Sequence, residues 1–337
     1  MANIEGKSLI LYHKDDNDGV FSCALLYNYL VYELQCEKED VICVGLDYDI
    51  ASSIKRKDIK EWSKVYTHLF ITDFSLPIPI MRYAYKLFEN HFVWLDHHKP
   101  IIEAANNTEL IDCQGSREIN RSAILNVWKW LYDQFNVDWF DDHEKIPKLL
   151  RILSGWDSFT YEQEGFDLDY VRKVNYGITH LFNLNLTEVS KELYWLYTAK
   201  TNEEDGLEEK LINRAYQVGK ILVDDENNRM TDIIKRSGDK EWTVGPDNRT
   251  AVAVFIQGPS NSRMFESVIG ECQNAIVFKR NAKGTWAISL YNPDETDTTF
   301  HCGAYCRENY KGGGHVGAAG FQVKQSKFIQ MLRTKHI

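Results

Sequence analysis

The chain has 337 residues, 44% hydrophobic and 13% aromatic, which suits packed cores rather than disorder, and its length suggests two domains. A formal net charge of −10 argues against a protein that tracks long duplex DNA, which normally carries a basic stripe; a nucleic-acid substrate would be short or held at one local site. No stretch approaches the roughly 20 apolar residues of a membrane span, the start MANIEGKSLILYH lacks the flank and cleavage site of a signal peptide, and seven cysteines without a Cys-x-x-Cys pair read as reduced thiols, so a cytoplasmic protein with no membrane partner is expected.

In chain order, Ser8 to Tyr12 is a short apolar strand followed by acidic residues and a glycine, and Val20 to Glu33 repeats apolar residues at helical spacing. Val41 to Val44 reads as a second strand and His68 to Thr72 as a third, followed by Asp73 and a helix start bracketed by Pro77 and Pro79. Phe92 to Leu95 is a fourth strand, and Ser122 to Phe135 a helix with Trp128, Trp130 and Leu131 on its apolar side. Continuous apolar strands between helices predict an α/β fold with a mostly parallel sheet covered on both faces. From Ile146 to about Leu222 the pattern is largely helical, broken by the acidic stretch Thr201 to Gly206, and Leu207 to Lys235 predicts a long amphipathic connector. After the turn-rich stretches Arg236 to Asp239 and Gly245 to Asn248, strands return at Ala251 to Ile256, Ala275 to Phe278 and Trp286 to Tyr291, forming a smaller second domain.

In open parallel sheets, functional groups gather at the carboxyl ends of the strands. Three acidic and histidine clusters fall there: His13, Asp15, Asp16 and Asp18 after the first strand, Asp73 after the third, and Asp96-His97-His98 after the fourth. Each aspartate alone is more simply a cap or loop residue, but chance placement explains three clusters poorly. Two divalent ions roughly 3.5–4 Å apart need a bridging carboxylate and several carboxylate or imidazole ligands, which is this inventory. The mixed donor set favours manganese, with magnesium, cobalt and zinc behind it. His301, Cys302 and Cys306 lack a second ligand pair and read as buried thiols rather than a zinc site.

The motifs HKDDNDG (13–19), ITD (71–73), LDHH (95–98) and GWD (155–157), with KGGGH (311–315) and GAAGF (317–321) later in the chain, resemble the DHH phosphoesterase superfamily. The resemblance is to its DHH plus DHHA1 group, which includes RecJ-like exonucleases and nanoRNase or oligoribonuclease-like enzymes, and it spans residues 13 to 321. It implies a DHH catalytic domain over residues 1–200, a helical linker over 201–240 and a smaller α/β DHHA1 substrate-binding domain over 241–337.

It further implies that His13 and Asp16 hold one metal ion, that Asp18, His97 and Asp157 hold the other, and that Asp73 bridges both. Asp15 stands beside Asp16 and competes for its role; Asp16 is favoured because Asp16-Asn17-Asp18-Gly19 keeps the Asp-x-Asp-Gly spacing. Asp96 would orient its neighbours, and His98 would contact the scissile phosphate or protonate the leaving oxygen. Gly312, Gly313, Gly314 and His315 would cradle a substrate phosphate, since glycines let backbone N–H groups approach an anion. An arginine expected after the strand Trp286 to Leu290 is replaced by Tyr291, so the arginine that grips a phosphate is either absent or supplied by Arg263 or Arg280, each of which reads more simply as a surface residue, and Tyr291 either stacks on a base or packs across strands.

The leading expectation is a manganese-dependent phosphodiesterase that degrades short single-stranded oligonucleotides to mononucleotides by two-metal in-line attack. Alternatives are hydrolysis of a linear or cyclic dinucleotide or of 3′-phosphoadenosine 5′-phosphate; a pyrophosphatase or a metal-free scaffold fits the intact motifs less well. A homodimer is left open.

Overall fold

The computed structural model describes residues 6–135, 146–198, 206–258, 260, 262–281, 284–294 and 296–337. The chain divides into two compact units, Met1–Leu222 and Val223–Ile337. In the first, chain order runs β1 (Ser8–His13), α1 (Asn17–Asn28), β2 (Val41–Leu46), α2 (Tyr48–Ser53), α3 (Arg56–Trp62), β3 (His68–Thr72), α4 (Ile78–Phe88) and β4 (Phe92–Leu95). The helices α5 (Lys99–Ala105), α6 (Ala123–Phe135), α7 (Lys148–Asp157), α8 (Leu168–Phe182), α9 (Leu186–Thr198) and α10 (Leu207–Ser237) follow, and the division between units falls inside α10. Most of the acidic stretch expected to break the helical region, 201–205, lies outside the described residues.

The first sheet has the order β2-β1-β3-β4 with all neighbours parallel. The strands β1, β3 and β4 are apolar at successive positions because both their faces are buried, whereas the edge strand β2 exposes Ile42 and Val44. Ile10, Phe70, Val93 and Leu95 pack under α1, α6, α7, α8 and α9, while Leu9, Leu11, Leu69, Ile71 and Trp94 pack against α3, α4 and α5. Chain order reverses direction across the sheet between β1 and β3, so the loops leaving these neighbours diverge and open a crevice at their carboxyl ends. The outer edge of β4 is covered by residues 114–116: Trp94 N–H donates to Gln114 O at 2.9 Å and Asp96 N–H to Ser116 O at 3.2 Å.

Two local departures bear on the site. The first helix begins at Asn17 rather than Val20, because Asp16 caps it by accepting from Gly19 N–H at 2.9 Å, and it ends in a π turn over Tyr29–Glu33. Two short helices not expected from the sequence, α2 and α3, follow β2; each has an aspartate bonded at its start, Asp47 and Asp58, but is too short to show an apolar periodicity.

The second unit holds a mixed sheet of order β5-β6-β7-β8-β10-β9, with β5 (Asp239–Val244), β6 (Arg249–Phe255), β7 (Asn274–Arg280), β8 (Trp286–Tyr291), α11 (Cys302–Tyr310), β9 (Gly313–Gly314), β10 (Ala318–Val323) and α12 (Gln325–Thr334). Only β6 and β7 are parallel neighbours. Ile276, Phe278, Ile288 and Leu290 face Phe328 and Met331 of α12, while Val252, Val254, Ala275 and Val277 pack with Met230 and Ile234 on the other face. Cys302 and Cys306 are fully buried in α11, which agrees with a packing role. Among the described residues no helix is long and apolar enough to cross a membrane.

Candidate metal centre

The carboxyl ends of β1, β3 and β4 and the end of α7 bring six side chains together. His13 is the last residue of β1, and its Nδ1 lies 2.8 Å from Asp16 Oδ2 and 3.5 Å from Asp73 Oδ2. His97 Nε2 lies 3.1 Å from Asp157 Oδ2, 3.4 Å from Asp73 Oδ1 and 3.6 Å from Asp18 Oδ2. Two ligand groups result, His13-Asp16-Asp73 and Asp18-His97-Asp157, each with ligand atoms within 4.8 Å of one another. Asp73 faces both, one carboxylate oxygen toward each histidine. Asp73 and His97 also come within that range of His98, which therefore borders the centre.

Local structure explains the aim of each group. Asp73 has φ +60°, a left-handed conformation that aspartate tolerates better than most side chains, and its N–H donates to Leu95 O at 2.9 Å. That turn points the carboxylate across the strand ends. Gly19 cannot be replaced without a shift, because a Cβ there would lie 2.0 Å from His13 O; the glycine lets α1 sit against the end of β1. Asp18 is buried and anchors α6 by accepting from Ala123 N–H at 2.7 Å and Ile124 N–H at 2.9 Å. Asp15 is exposed and 3.9 Å from His13 Nε2, outside the grouping that contains Asp16.

The electrostatics call for cations. Four carboxylates surround two imidazoles, and Asp73 Oδ2 and Asp157 Oδ2 are buried without a hydrogen-bond partner. Burial, then the charge of Asp18, pushes Asp73 and Asp157 well above the usual carboxylate range. Burial works against protonating His13, but its hydrogen bond to Asp16 and the nearby carboxylate of Asp73 outweigh this and raise it to about 10. His97 is likewise raised, the surrounding carboxylates, led by Asp18 and Asp157, overcoming burial. Protons thus stand in for positive charge, and the donor set of oxygen and imidazole nitrogen fits divalent ions such as manganese.

A pH dependence follows. Groups raised in the folded state stabilise the metal-free protein at low pH and cease to do so as pH rises through their folded values. Metal binding must release those protons, so affinity rises with pH. Manganese should therefore raise the melting temperature more at about pH 7.5 than at about pH 5.5, with EDTA reversing the shift. Equal shifts at both pH values in a melting series would rule the site out as the place of binding.

Asp96 is fully buried and is not part of the Asp18 or Asp16 groups. Its Oδ1 accepts from His97 N–H at 2.7 Å, His98 N–H at 3.2 Å and His98 Nδ1 at 2.7 Å, and its Oδ2 accepts from Trp94 Nε1 at 3.1 Å. These bonds outweigh burial and hold its carboxyl below the usual range. With Nδ1 tied to Asp96, His98 turns Nε2 outward, where it meets the hydroxyl of Tyr48 at 3.1 Å.

Asn126 and Arg117 brace the site from within and Tyr48 stands at its rim; none of the three is among the site residues expected from the sequence. Asn126 donates to Asp96 O at 3.3 Å and accepts from Ser116 Oγ at 2.6 Å. Arg117 donates to Trp94 O at 3.0 Å. A buried asparagine three residues into a helix is visible in sequence only as an interruption of the apolar stripe.

The glycine run lies in the second unit and is described by itself. A Cβ on Gly312 would lie 2.3 Å from Gly320 O, and one on Gly314, at φ +144°, 2.4 Å from Ala318 O, so two of the three glycines are required by the packing of β9 on β10. Gly312 N–H donates to Cys306 O at 3.0 Å and His315 N–H to Ala318 O at 2.7 Å, so these two are engaged within the fold rather than presented to an anion. Gly313 has open space over its Cα, and His315 is exposed. Tyr291 is 6% exposed, stacks on Phe265 at 5.9 Å and donates to Ser260 O at 2.8 Å, which makes it a packing residue rather than a base platform. Arg280 is exposed at the end of β7. Arg263 sits in the 3-10 segment Ser262–Val268, and its side chain lies outside the described set.

No family model matches the chain, and no curated protein matches it. The chain is similar to several solved structures. A pGpG-specific phosphodiesterase, PggH, from Vibrio cholerae is 14% identical with a TM-score of 0.48, over 97% of this chain and 97% of that one. RecJ from Thermus thermophilus in complex with Mn2+ is 14% identical with a TM-score of 0.49, over 99% of this chain and 52% of that one, so this chain spans about half its length. An uncharacterized protein from Helicobacter pylori G27 is 16% identical with a TM-score of 0.41, over 98% of this chain and 99% of that one.

Proposed function

We propose that this chain is a DHH-type phosphoesterase that hydrolyses phosphodiester bonds in short oligonucleotides, with two divalent metal ions, manganese foremost, held by His13, Asp16, Asp18, Asp73, His97 and Asp157. The observation that carries the reading is Asp73: one oxygen toward each histidine-carboxylate group, with Oδ2 buried and unpartnered. A bridging carboxylate between two ions needs that arrangement.

When bound, the ions supply Lewis-acid charge for the attacking and leaving oxygens of an in-line displacement. The chain's own part is to orient. Asp96 fixes His98 through Nδ1, which leaves Nε2 to meet a phosphate oxygen or to give a proton to the leaving oxygen. Asp18 ties the second ligand group to α6, so the carboxylate is held in place before substrate arrives. Within the second unit, His315 and Gly313 are the residues that would bind a phosphate group. The net charge of −10 suits short substrates over long polyanions.

The test is incubation with labelled RNA and DNA of about two, three, five and twenty-four residues, with 3′-phosphoadenosine 5′-phosphate and with cyclic dinucleotides, in manganese and in EDTA. The expected result is conversion of the shortest oligonucleotides to mononucleotides in manganese and none in EDTA. Cleavage of none of these substrates in manganese overturns the reading; preference for a cyclic dinucleotide or for the phosphoadenosine would reassign the substrate and keep the centre.

A further inference from the structure

Tyr48, the first residue of α2, stands beside the candidate metal centre without belonging to it. Its hydroxyl is 3.1 Å from His98 Nε2, and its ring centroid is 4.8 Å from that of His13 and 6.3 Å, edge-on, from that of His98. Yet the residue is 53% exposed, an unusual state for a large aromatic with two such ring neighbours.

The short helix that carries it is tied down. Asp47 caps α2 by accepting from Ile50 N–H at 2.8 Å, and its other oxygen pairs with Lys14 Nζ at 3.0 Å. Lys14 N–H donates to Leu46 O at 3.1 Å, and a Cβ on Gly45 would lie 2.9 Å from Lys14 Cβ and the Tyr12 ring, so the ends of β1 and β2 are closely joined. Tyr48 is therefore presented by a braced turn, not by a free loop.

We propose that Tyr48 contacts the substrate in two ways: its hydroxyl shares with His98 Nε2 the phosphate oxygen nearest the scissile bond, and its exposed ring is the platform for the adjoining nucleobase. An oxygen that approaches Nε2 meets the Tyr48 hydroxyl beside it, so both groups reach one acceptor. A half-exposed aromatic next to that phosphate offers stacking, which is tolerant of base identity. This role replaces the one Tyr291 cannot fill from inside the second unit's core. The inference rests on the phosphodiesterase reading above.

Tyr48→Phe removes the hydroxyl and keeps the ring; Tyr48→Leu removes both. Steady-state kinetics in manganese would compare a 5′-phosphorylated diadenylate with its analogue lacking one base. Tyr48→Phe should lower kcat about fivefold on both substrates with KM unchanged. Tyr48→Leu should show the same kcat loss and raise KM about tenfold on the base-bearing substrate alone. Both variants should keep the parent's manganese melting shift.

Parent-like kinetics in either variant overturns the proposal, as does a KM rise in Tyr48→Leu that is equal on both substrates. Loss of the manganese shift also overturns it, by making Tyr48 a support of the metal centre. If the parent cleaves neither substrate, the phosphodiesterase reading itself fails; if the parent cleaves both and the variants match it, only the role of Tyr48 fails.

Discussion

Asp73→Asn should abolish manganese-dependent cleavage, by about a thousandfold or more, equivalent to roughly 4 kcal/mol of transition-state stabilisation. Asparagine keeps the shape and one oxygen but cannot supply negative charge to two ions at once. The same substitution should have the opposite effect on the metal-free fold. Asp73 is buried, its Oδ2 has no hydrogen-bond partner, and burial and Asp18 push its carboxyl well above the usual range, so folding disfavours the ionised form. Asparagine is neutral at every pH and carries no such cost. In EDTA the variant should melt at or above the parent's temperature, while manganese, which raises the parent's melting point, should leave the variant unchanged. A variant that melts well below the parent in EDTA, or that keeps the full manganese shift, would show that Asp73 is a structural residue and not a bridging ligand.

Asp96→Ala should be the most destabilising single change at the site. The carboxylate is fully buried and accepts four hydrogen bonds, from two backbone N–H groups, an imidazole and the Trp94 indole. Trp94 Nε1 also donates to Phe74 O at 3.1 Å and keeps that partner, but the other donors lose theirs, so a loss of about 3–5 kcal/mol is expected in denaturant unfolding. Asp96→Asn separates structure from chemistry, because the amide preserves the volume while it loosens the grip on His98 Nδ1. It should retain the manganese melting shift, since Asp96 belongs to neither of the two groups that Asp73 joins, and should lose kcat about a hundredfold, as expected when a positioned proton donor is released. A large loss of manganese binding in Asp96→Asn would make it a ligand and reverse this assignment.

The legible part of the chain is the part with local signals. Continuous apolar runs such as Ser8–His13 and Phe92–Leu95 announce strands buried on both faces, and the acidic and histidine residues that interrupt them mark strand ends. Leu207–Ser237 has helical periodicity over its whole length. Other strands announce themselves poorly. The edge strand Asp239–Val244 is half exposed and carries Lys240 and Glu241, so it lacks an apolar run, and Ala318–Val323 is rich in small residues. The glycines at 312–314 look alike in sequence, yet Gly312 and Gly314 are committed to the backbone of β10 while Gly313 stays open.

The one-dimensional chain by itself determined which chemistry is available: carboxylates and imidazoles at the ends of successive strands, in an order that allows two ions. A β strand has a fixed direction and ends where its apolar run ends, so that much is written locally. Tertiary structure decided which of those groups meet and what each one does. Asp18 finds the start of α6 at Ala123, His97 finds Asp157, and Tyr48 finds His98, all across separations of 50 residues or more in sequence. No local propensity encodes such meetings, because they follow from which strands lie side by side and how two hydrophobic cores close on the faces of one sheet.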